Sequence, residues 1–515
     1  MNGADRLCDT LLVNGIDVCF ANPGTSEMHF VAALDRKPAM RCVLGLFEGV
    51  ATGAADGYGR MAGKPAATLL HTGPGLANGL ANLHNARRAR TPIVNIVGDH
   101  ASYHLAFDAP LTSDVDGLAR SMSHVVRRIH GAEDVGPGAE AVIRAARETP
   151  GIATLILPAD SAWGPVADAP VAPVTIAAPA LIEEAVIAEI AAAIGAAGGK
   201  AGILLAGTAA QGEALAAAGR IAEKTGARLF AEVLNGRSAR GGDRTPLERI
   251  PYPIDQARAA LADLSLFILV GAREPVAFFG YPGKPSRLLP DACRIATLAG
   301  VGENMTDALE RVADRLGART ALAAPAWAPS ALPTGKLTED AVSVITAAFL
   351  PEEAIVCDEG LTSGRRFYAL SEGGPRHDYM MCTGGAIGIG IPLSVGAAIA
   401  CPDRKVVTLQ ADGSGMYTLQ GLWTAAREQL DIVVIVFANR AYAILRAEMR
   451  NVGIDQFGHN AERMLRLDGP ALDWVQLAGG MGVEAARAET AERFAELFRA
   501  ALGRKGPFLI EAVIA

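Results

Sequence analysis

Asp412 and Asn439 stand 27 positions apart, in Gln410-Ala-Asp-Gly-Ser-Gly415 and Phe437-Ala-Asn-Arg-Ala-Tyr442. A carboxylate and an amide carbonyl, joined by a nearby backbone carbonyl, make a hard-oxygen set suited to Mg²⁺ with room left for phosphate oxygens. Gly413 lets the backbone approach a diphosphate, and the Ser414 hydroxyl can donate to it. The elements around these residues bring them together. Lys405–Leu409 reads as a buried strand, Leu419–Glu428 as a helix and Ile432–Phe437 as a second buried strand, which is a parallel βαβ unit. Ligands of such sheets sit beyond the carboxyl ends of the strands, so Asp412 and Asn439 arrive side by side.

The same alternation runs through the N-terminal part. Strands are expected at Asp17–Phe20, Arg41–Leu46, Ala66–Leu70, Ile93–Val97 and Thr154–Leu157, with helices at Asp5–Asn14, Phe47–Met61 and Leu76–Arg88. Asn22-Pro-Gly-Thr-Ser-Glu27 reads as a turn into a helix, and His71-Thr-Gly-Pro-Gly75 as a tight loop. Glu48 opens a helix just after a strand, where the helix dipole favours a carboxylate. Pro165–Pro179 and Ala323–Gly335, rich in proline and alanine, read as linkers. They divide the chain into residues 1–165, 180–320 and 336–515, each read as a doubly wound parallel-sheet domain of the α/β class. The polar loops of the middle part carry no evident catalytic cluster.

Composition narrows the function classes. Half of the 515 residues are hydrophobic, a fifth are charged and the net charge is −8, which suits a large globular protein and gives no basic footprint for nucleic acid. No apolar run reaches membrane-spanning length. Residues 1–5 lack the basic and apolar regions of a signal peptide. Seven scattered cysteines without a Cys-x-x-Cys pair fit reduced thiols and a cytoplasmic location.

The Asp412–Asn439 pair resembles the diphosphate-binding motif of thiamine diphosphate (ThDP) enzymes, with Ala411 in place of the first glycine and Arg440 in place of a common second asparagine. The resemblance implies Mg²⁺ held by Asp412, Asn439 and the Ala441 carbonyl, with Tyr442 beside the cofactor. Leu46-Phe-Glu-Gly-Val-Ala-Thr-Gly-Ala-Ala-Asp-Gly-Tyr-Gly-Arg60 is similar to the segment whose buried glutamate hydrogen-bonds N1′ of the aminopyrimidine, a role that falls to Glu48. Asn78 is a further implied cofactor contact. Gly384–Pro392 resembles the loop that receives the aminopyrimidine: Gly385 belongs to it, and Ile387 takes the place of the apolar wedge that bends the cofactor. Thr362, after Asp358-Glu359-Gly360, takes the place of a diphosphate donor. The domain order implied is pyrimidine-binding, central, diphosphate-binding. The assembly implied is a homodimer or homotetramer with active sites between subunits.

Within that family the closest resemblance is to benzoylformate decarboxylase. Thr25 takes the place of a serine that touches the substrate carboxylate. His71 aligns with a catalytic histidine and is expected to transfer protons. Leu111 stands where acetolactate synthases carry glutamine, and implies an apolar substrate pocket. The stretch 276–283 lacks the decarboxylase's second histidine, and Phe278, Phe279 or Tyr281 shapes the pocket instead. Structural or solvated roles are expected for His84, His100, His104 and His124. The leading expectation is a ThDP- and Mg²⁺-dependent non-oxidative decarboxylase of a 2-oxo acid, benzoylformate decarboxylase-like, with carboligation as a second outcome. One alternative is an acetolactate-synthase-like transferase, for which FAD is possible; FAD is not otherwise expected. The other is a ThDP-binding protein without turnover. Neither nucleic acid nor membrane is expected as a partner.

Overall fold

The computed structural model describes residues 1–320, 322 and 326–514; the first three residues of the second linker, 323–325, and Ala515 lie outside the described residues. Three sheets form among the described residues. The first is six-stranded and parallel, in the order Arg41–Leu44, Val18–Asn22, Ala66–His71, Ile93–Asp99, Ile152–Pro158, Val125–Arg128. The second is five-stranded and parallel: Glu248–Arg249, Arg228–Ala231, Ala201–Leu205, Leu266–Val270, Arg294–Ala299. The third runs Glu484–Ala488, Phe508–Val513, Ile432–Ala438, Val406–Ala411, Ala354–Glu359, His377–Met381.

That third sheet is parallel up to its edge, where Ser238–Arg240 from the middle part of the chain pairs antiparallel with His377–Met381. The sheet thus keeps its parallel core and gains one antiparallel pair at its edge. A three-residue edge strand lent by another segment has no periodicity of its own to announce it. The central strands are Val- and Ile-rich and buried on both faces, as parallel sheets covered by helices require.

A correction concerns His71–Gly75. This is no loop: the helix Thr72–Ala89 starts directly after the strand Ala66–His71. Pro74 falls in the first turn, where a missing N–H leaves no hydrogen bond unmade.

Two helices bring the first and third sheets together. Glu48–Ala62 is buried from Glu48 to Met61, and it packs against Gly390–Ala400. The crossing uses glycine on both sides. A Cβ on Gly57 would lie 2.0 Å from the Leu393 carbonyl oxygen, and one on Gly396 would lie 1.8 Å from the Ala54 carbonyl oxygen. At the far end of the first helix Arg60 pairs with Asp56 and donates to the Met381 carbonyl (2.7 Å), the Gly236 carbonyl (3.1 Å) and Thr383 Oγ1 (3.1 Å). One buried guanidinium therefore joins segments from all three parts of the chain. Gly396→Ala is expected to cost about 1–3 kcal/mol, because backbone must move to admit the methyl. Scanning calorimetry reads this as a lowered unfolding midpoint; an unchanged midpoint would mean that the crossing has slack.

Candidate active site

Asp412 and Asn439 emerge from neighbouring strands, Val406–Ala411 and Ile432–Ala438, whose register pairs Ala411 with Phe437. Asp412 is buried. Its Oδ1 accepts from the Gly413 N–H (2.8 Å) and its Oδ2 from the Arg440 N–H (2.6 Å), while Asn439 Oδ1 accepts from the Ala441 N–H (3.0 Å). Each of these oxygens keeps a second lone pair for a cation. Burial pushes the Asp412 carboxyl up to about 6, against the pull of those two N–H donors. Among the described residues no three His, Cys, Asp or Glu side chains converge as a metal site. Any cation here relies on one carboxylate, one amide and backbone carbonyl oxygen, a donor set that suits Mg²⁺.

The turn after Asp412 is bonded within the chain. The Ser414 side chain faces inward: its hydroxyl donates to the Ala411 carbonyl (3.2 Å) and accepts from Gln410 Nε2 (2.7 Å). Gly413 is required by the Tyr442 ring, whose Cε1 would be 2.5 Å from a Cβ there. Thr362 is partly exposed on the short helix Leu361–Gly364, and the neighbouring Ser363 Oγ accepts from Asn439 Nδ2 (3.4 Å).

The Gly-rich loop is organised by residues that the sequence left unassigned. The buried Glu359 carboxylate, raised by desolvation, accepts from the N–H groups of Gly388 (2.6 Å) and Gly390 (2.8 Å) and from Gln410 Nε2 (3.0 Å). Asn85 Oδ1 accepts from the Gly384 and Ala386 N–H groups, and its Nδ2 donates to the Ala386 carbonyl (2.7 Å). His84 contacts the Gly384 carbonyl (3.2 Å). Ile387, held from both sides, stays partly exposed. The Phe278 ring covers Gly385, whose φ is +72°. Phe279 stands against Phe278 and is 54% exposed. Glu359 and Asn85 were legible only as polar residues in apolar surroundings.

In the N-terminal sheet, Glu48 is buried and accepts from Asn78 Nδ2 (3.0 Å), with Gly75 packed beside Oε1. Asn78 thus holds the carboxylate. His71 ends its strand and lies against Gly24, next to the exposed Thr25. Thr25 opens a short 3₁₀ turn but caps nothing, so its hydroxyl is available. His71 Nδ1 is 2.8 Å from Oε2 of buried Glu27, and the same oxygen accepts from the Gly24 N–H (2.7 Å). Burial raises the Glu27 carboxyl, opposed by His71. With Nδ1 engaged, Nε2 is the nitrogen left to exchange a proton with a ligand. Glu27 was missed as a site residue, since a glutamate at a helix start is ordinary. Leu111 is 38% exposed in a segment whose Ser113 abuts Gly73, two residues past His71. The His100 and His104 rings lie tilted with centroids 5.6 Å apart, and His124 contacts the Ala145 carbonyl.

Comparison with known proteins decides the family. Residues 1–120 match the model for the N-terminal TPP-binding domain of thiamine pyrophosphate enzymes, and residues 362–512 match that for the C-terminal TPP-binding domain. A Mycobacterium tuberculosis protein provisionally named acetolactate synthase large subunit IlvX is 49% identical over 100% of this chain and 99% of its own length. This chain belongs to the thiamine pyrophosphate enzymes. Benzoylformate decarboxylase of Pseudomonas aeruginosa is 29% identical over 97% of this chain and 96% of its own. A solved ThDP-dependent 4-hydroxybenzoylformate decarboxylase of Rhodococcus jostii RHA1 shares the fold, with a TM-score of 0.86 over 100% of this chain and 99% of that one at 24% identity. The chain is thus a ThDP-dependent enzyme of the acetolactate synthase and decarboxylase family, with ThDP-binding domains at both ends. Among the described residues no helix is long and apolar enough to cross a membrane.

A carboxylate that protonates near pH 6 gives the site a pH dependence. Above pH 6 Asp412 is ionised and can hold a cation; as pH falls through 6, protons compete for the same oxygens. Mg²⁺-dependent ThDP binding, measured by fluorescence titration, is expected to weaken by up to about tenfold per pH unit below 6. Affinity independent of pH between 7 and 5 would contradict this.

Proposed function

We propose that the enzyme decarboxylates a small 2-oxo acid non-oxidatively, using ThDP and Mg²⁺, and releases an aldehyde or joins it to a second carbonyl compound. Asp412, Asn439 and the Ala441 carbonyl would hold the metal. Ile387 would support the aminopyrimidine, with Thr362 on the diphosphate side and Glu48 from a neighbouring subunit at N1′. Residues 1–165, 180–320 and 336–515 would act as pyrimidine-binding, central and diphosphate-binding domains of a homodimer or homotetramer in the cytoplasm. Bound ThDP supplies an electron sink for the pair of electrons left when CO₂ departs.

The rest falls to this chain. Thr25 donates a hydrogen bond to the substrate carboxylate. Glu48, kept out of water and oriented by Asn78, holds a proton at the cofactor ring. His71, oriented by Glu27, moves a proton at the former 2-oxo carbon. The Glu27–His71 pair is the observation that favours this reading. Releasing an aldehyde requires a proton at that carbon, whereas condensing it with a second 2-oxo acid does not. Leu111 and Phe278 offer apolar walls for the side chain.

The name of the 49%-identical relative favours a second reading, an acetolactate-synthase-like transferase. A panel of 2-oxo acids separates the two. CO₂ with aldehyde or acyloin products supports decarboxylation; acetolactate-type products, or a yellow flavin bound to the purified protein, support the transferase. Glu48→Gln, which preserves the bond from Asn78, is expected to lower kcat by about 10²–10⁴ without loss of fold. Near-wild-type turnover in that variant would remove Glu48 from its role.

A further inference from the structure

The helix Ala443–Asn451 leaves the Asn439–Tyr442 turn directly, with Tyr442 as its N-cap. From it Glu448 reaches to the middle part of the chain. Its Oε1 accepts from the Tyr252 hydroxyl at 3.1 Å, and its Oε2 accepts from the Tyr281 hydroxyl and, at 3.3 Å, from Asn451 Nδ2. Burial, reinforced by the carboxylate, pushes both phenols above their ordinary range, so both remain donors across the working pH range.

Tyr252 is the pivot of a further set of contacts. Its ring lies 5.5 Å from that of Phe278, and the Arg365 guanidinium sits 5.4 Å from its face. Phe278 lies 4.9 Å from Phe279 and covers Gly385, with its Cζ 2.5 Å from where a Cβ would be. Gly385 is two residues before Ile387. Phe278 is 41% exposed and Phe279 54%, so neighbouring packing alone does not fix these rings. The two hydrogen bonds to one carboxylate hold Tyr252 and Tyr281 more firmly than neutral acceptors would, and Tyr252 passes that restraint to Phe278 and through it to Phe279.

We propose that Glu448 is a positioning residue. It holds the Phe278–Phe279 wall over the Gly385–Ile387 loop and ties that wall to the turn carrying Asn439. This rests on the proposed function, which makes that loop and that turn two ends of one cofactor site and the wall a side of the substrate pocket. A wall of two phenylalanines held in this way selects 2-oxo acids with apolar side chains. Cutting the tie loosens substrate binding more than it alters chemistry or cofactor affinity.

The test uses the holoenzyme with Mg²⁺ and the 2-oxo acid that the wild type turns over best. Wild type, Glu448→Ala, Glu448→Gln and the double variant Tyr252→Phe/Tyr281→Phe are compared in ThDP affinity, kcat and KM. Glu448→Ala and the double variant are expected to raise KM by about tenfold or more, with kcat and ThDP affinity within about threefold of wild type. Glu448→Gln, whose one carbonyl oxygen can accept from one phenol, is expected to fall between. The double variant keeps both rings and decides the matter if Glu448→Ala does not fold. KM within about twofold of wild type in both, or a loss confined to thermal stability, overturns the proposal. A wild type that binds no ThDP, or binds it and turns over no 2-oxo acid, overturns the functional reading beneath it.

Discussion

Two helices of one chain approach closely enough for backbone to touch backbone, and their crossing fixes the N-terminal sheet against the C-terminal one. Glu48–Ala62 carries the proposed catalytic carboxylate at its first residue, and Gly390–Ala400 continues from the Gly-rich loop. Gly57 and Gly396 give each helix a surface without a side chain, against which the other's carbonyl oxygens rest. The alanine and glycine content of these helices is unremarkable by pattern, since an all-round buried helix needs no apolar stripe. It is instructive by volume. Any larger residue at the crossing would shift Glu48 and the Gly-rich loop within each chain, and with them the parts that each subunit is proposed to lend to a site; a shift of about 1 Å is enough to spoil catalytic geometry.

Around that frame the molecule buries carboxylates and then restrains them. Glu27, Glu48, Glu359 and Asp412 are all buried at strand tips or helix starts. Glu359 and Asp412 are held by backbone N–H groups, Glu48 by Asn78 and Glu27 by Gly24 and His71. Desolvation raises Glu27, Glu359 and Asp412. Such groups cost folding stability, and they are tolerated where a ligand needs oriented charge in a dry place. The three have different consequences. Glu359 is fully committed to the loop and is structural. Asp412 retains lone pairs for a cation. Glu27 leaves His71 with one free nitrogen.

Much of this was legible in the residues. Val- and Ile-rich runs alternating with helices gave the α/β class, and the tips of Val406–Ala411 and Ile432–Ala438 do stand side by side. What escaped depended on contacts and helix starts that no periodicity announces. That the Ser414 hydroxyl bonds Gln410 and the Ala411 carbonyl is announced by no pattern. Ser238–Arg240 is too short to read as a strand and owes its existence to His377–Met381. Glu27 is an ordinary helix-start residue until the strand Ala66–His71 brings a histidine against it. His71–Gly75 was misread because Gly-Pro-Gly usually punctuates a chain, whereas here it opens a helix.

In the proposed assembly, strand tips of the C-terminal sheet and the Glu48 carboxylate at a helix start of the N-terminal domain address opposite ends of one ThDP molecule. A crystal structure of the protein grown with ThDP and Mg²⁺ tests it most directly. Density is expected for a metal on Asp412, Asn439 and the Ala441 carbonyl, for diphosphate beside it, and for the aminopyrimidine between Ile387 and a Glu48 carboxylate supplied by a second subunit. A cofactor bound elsewhere, or bound with Glu48 turned away from the ring in every subunit, would contradict it.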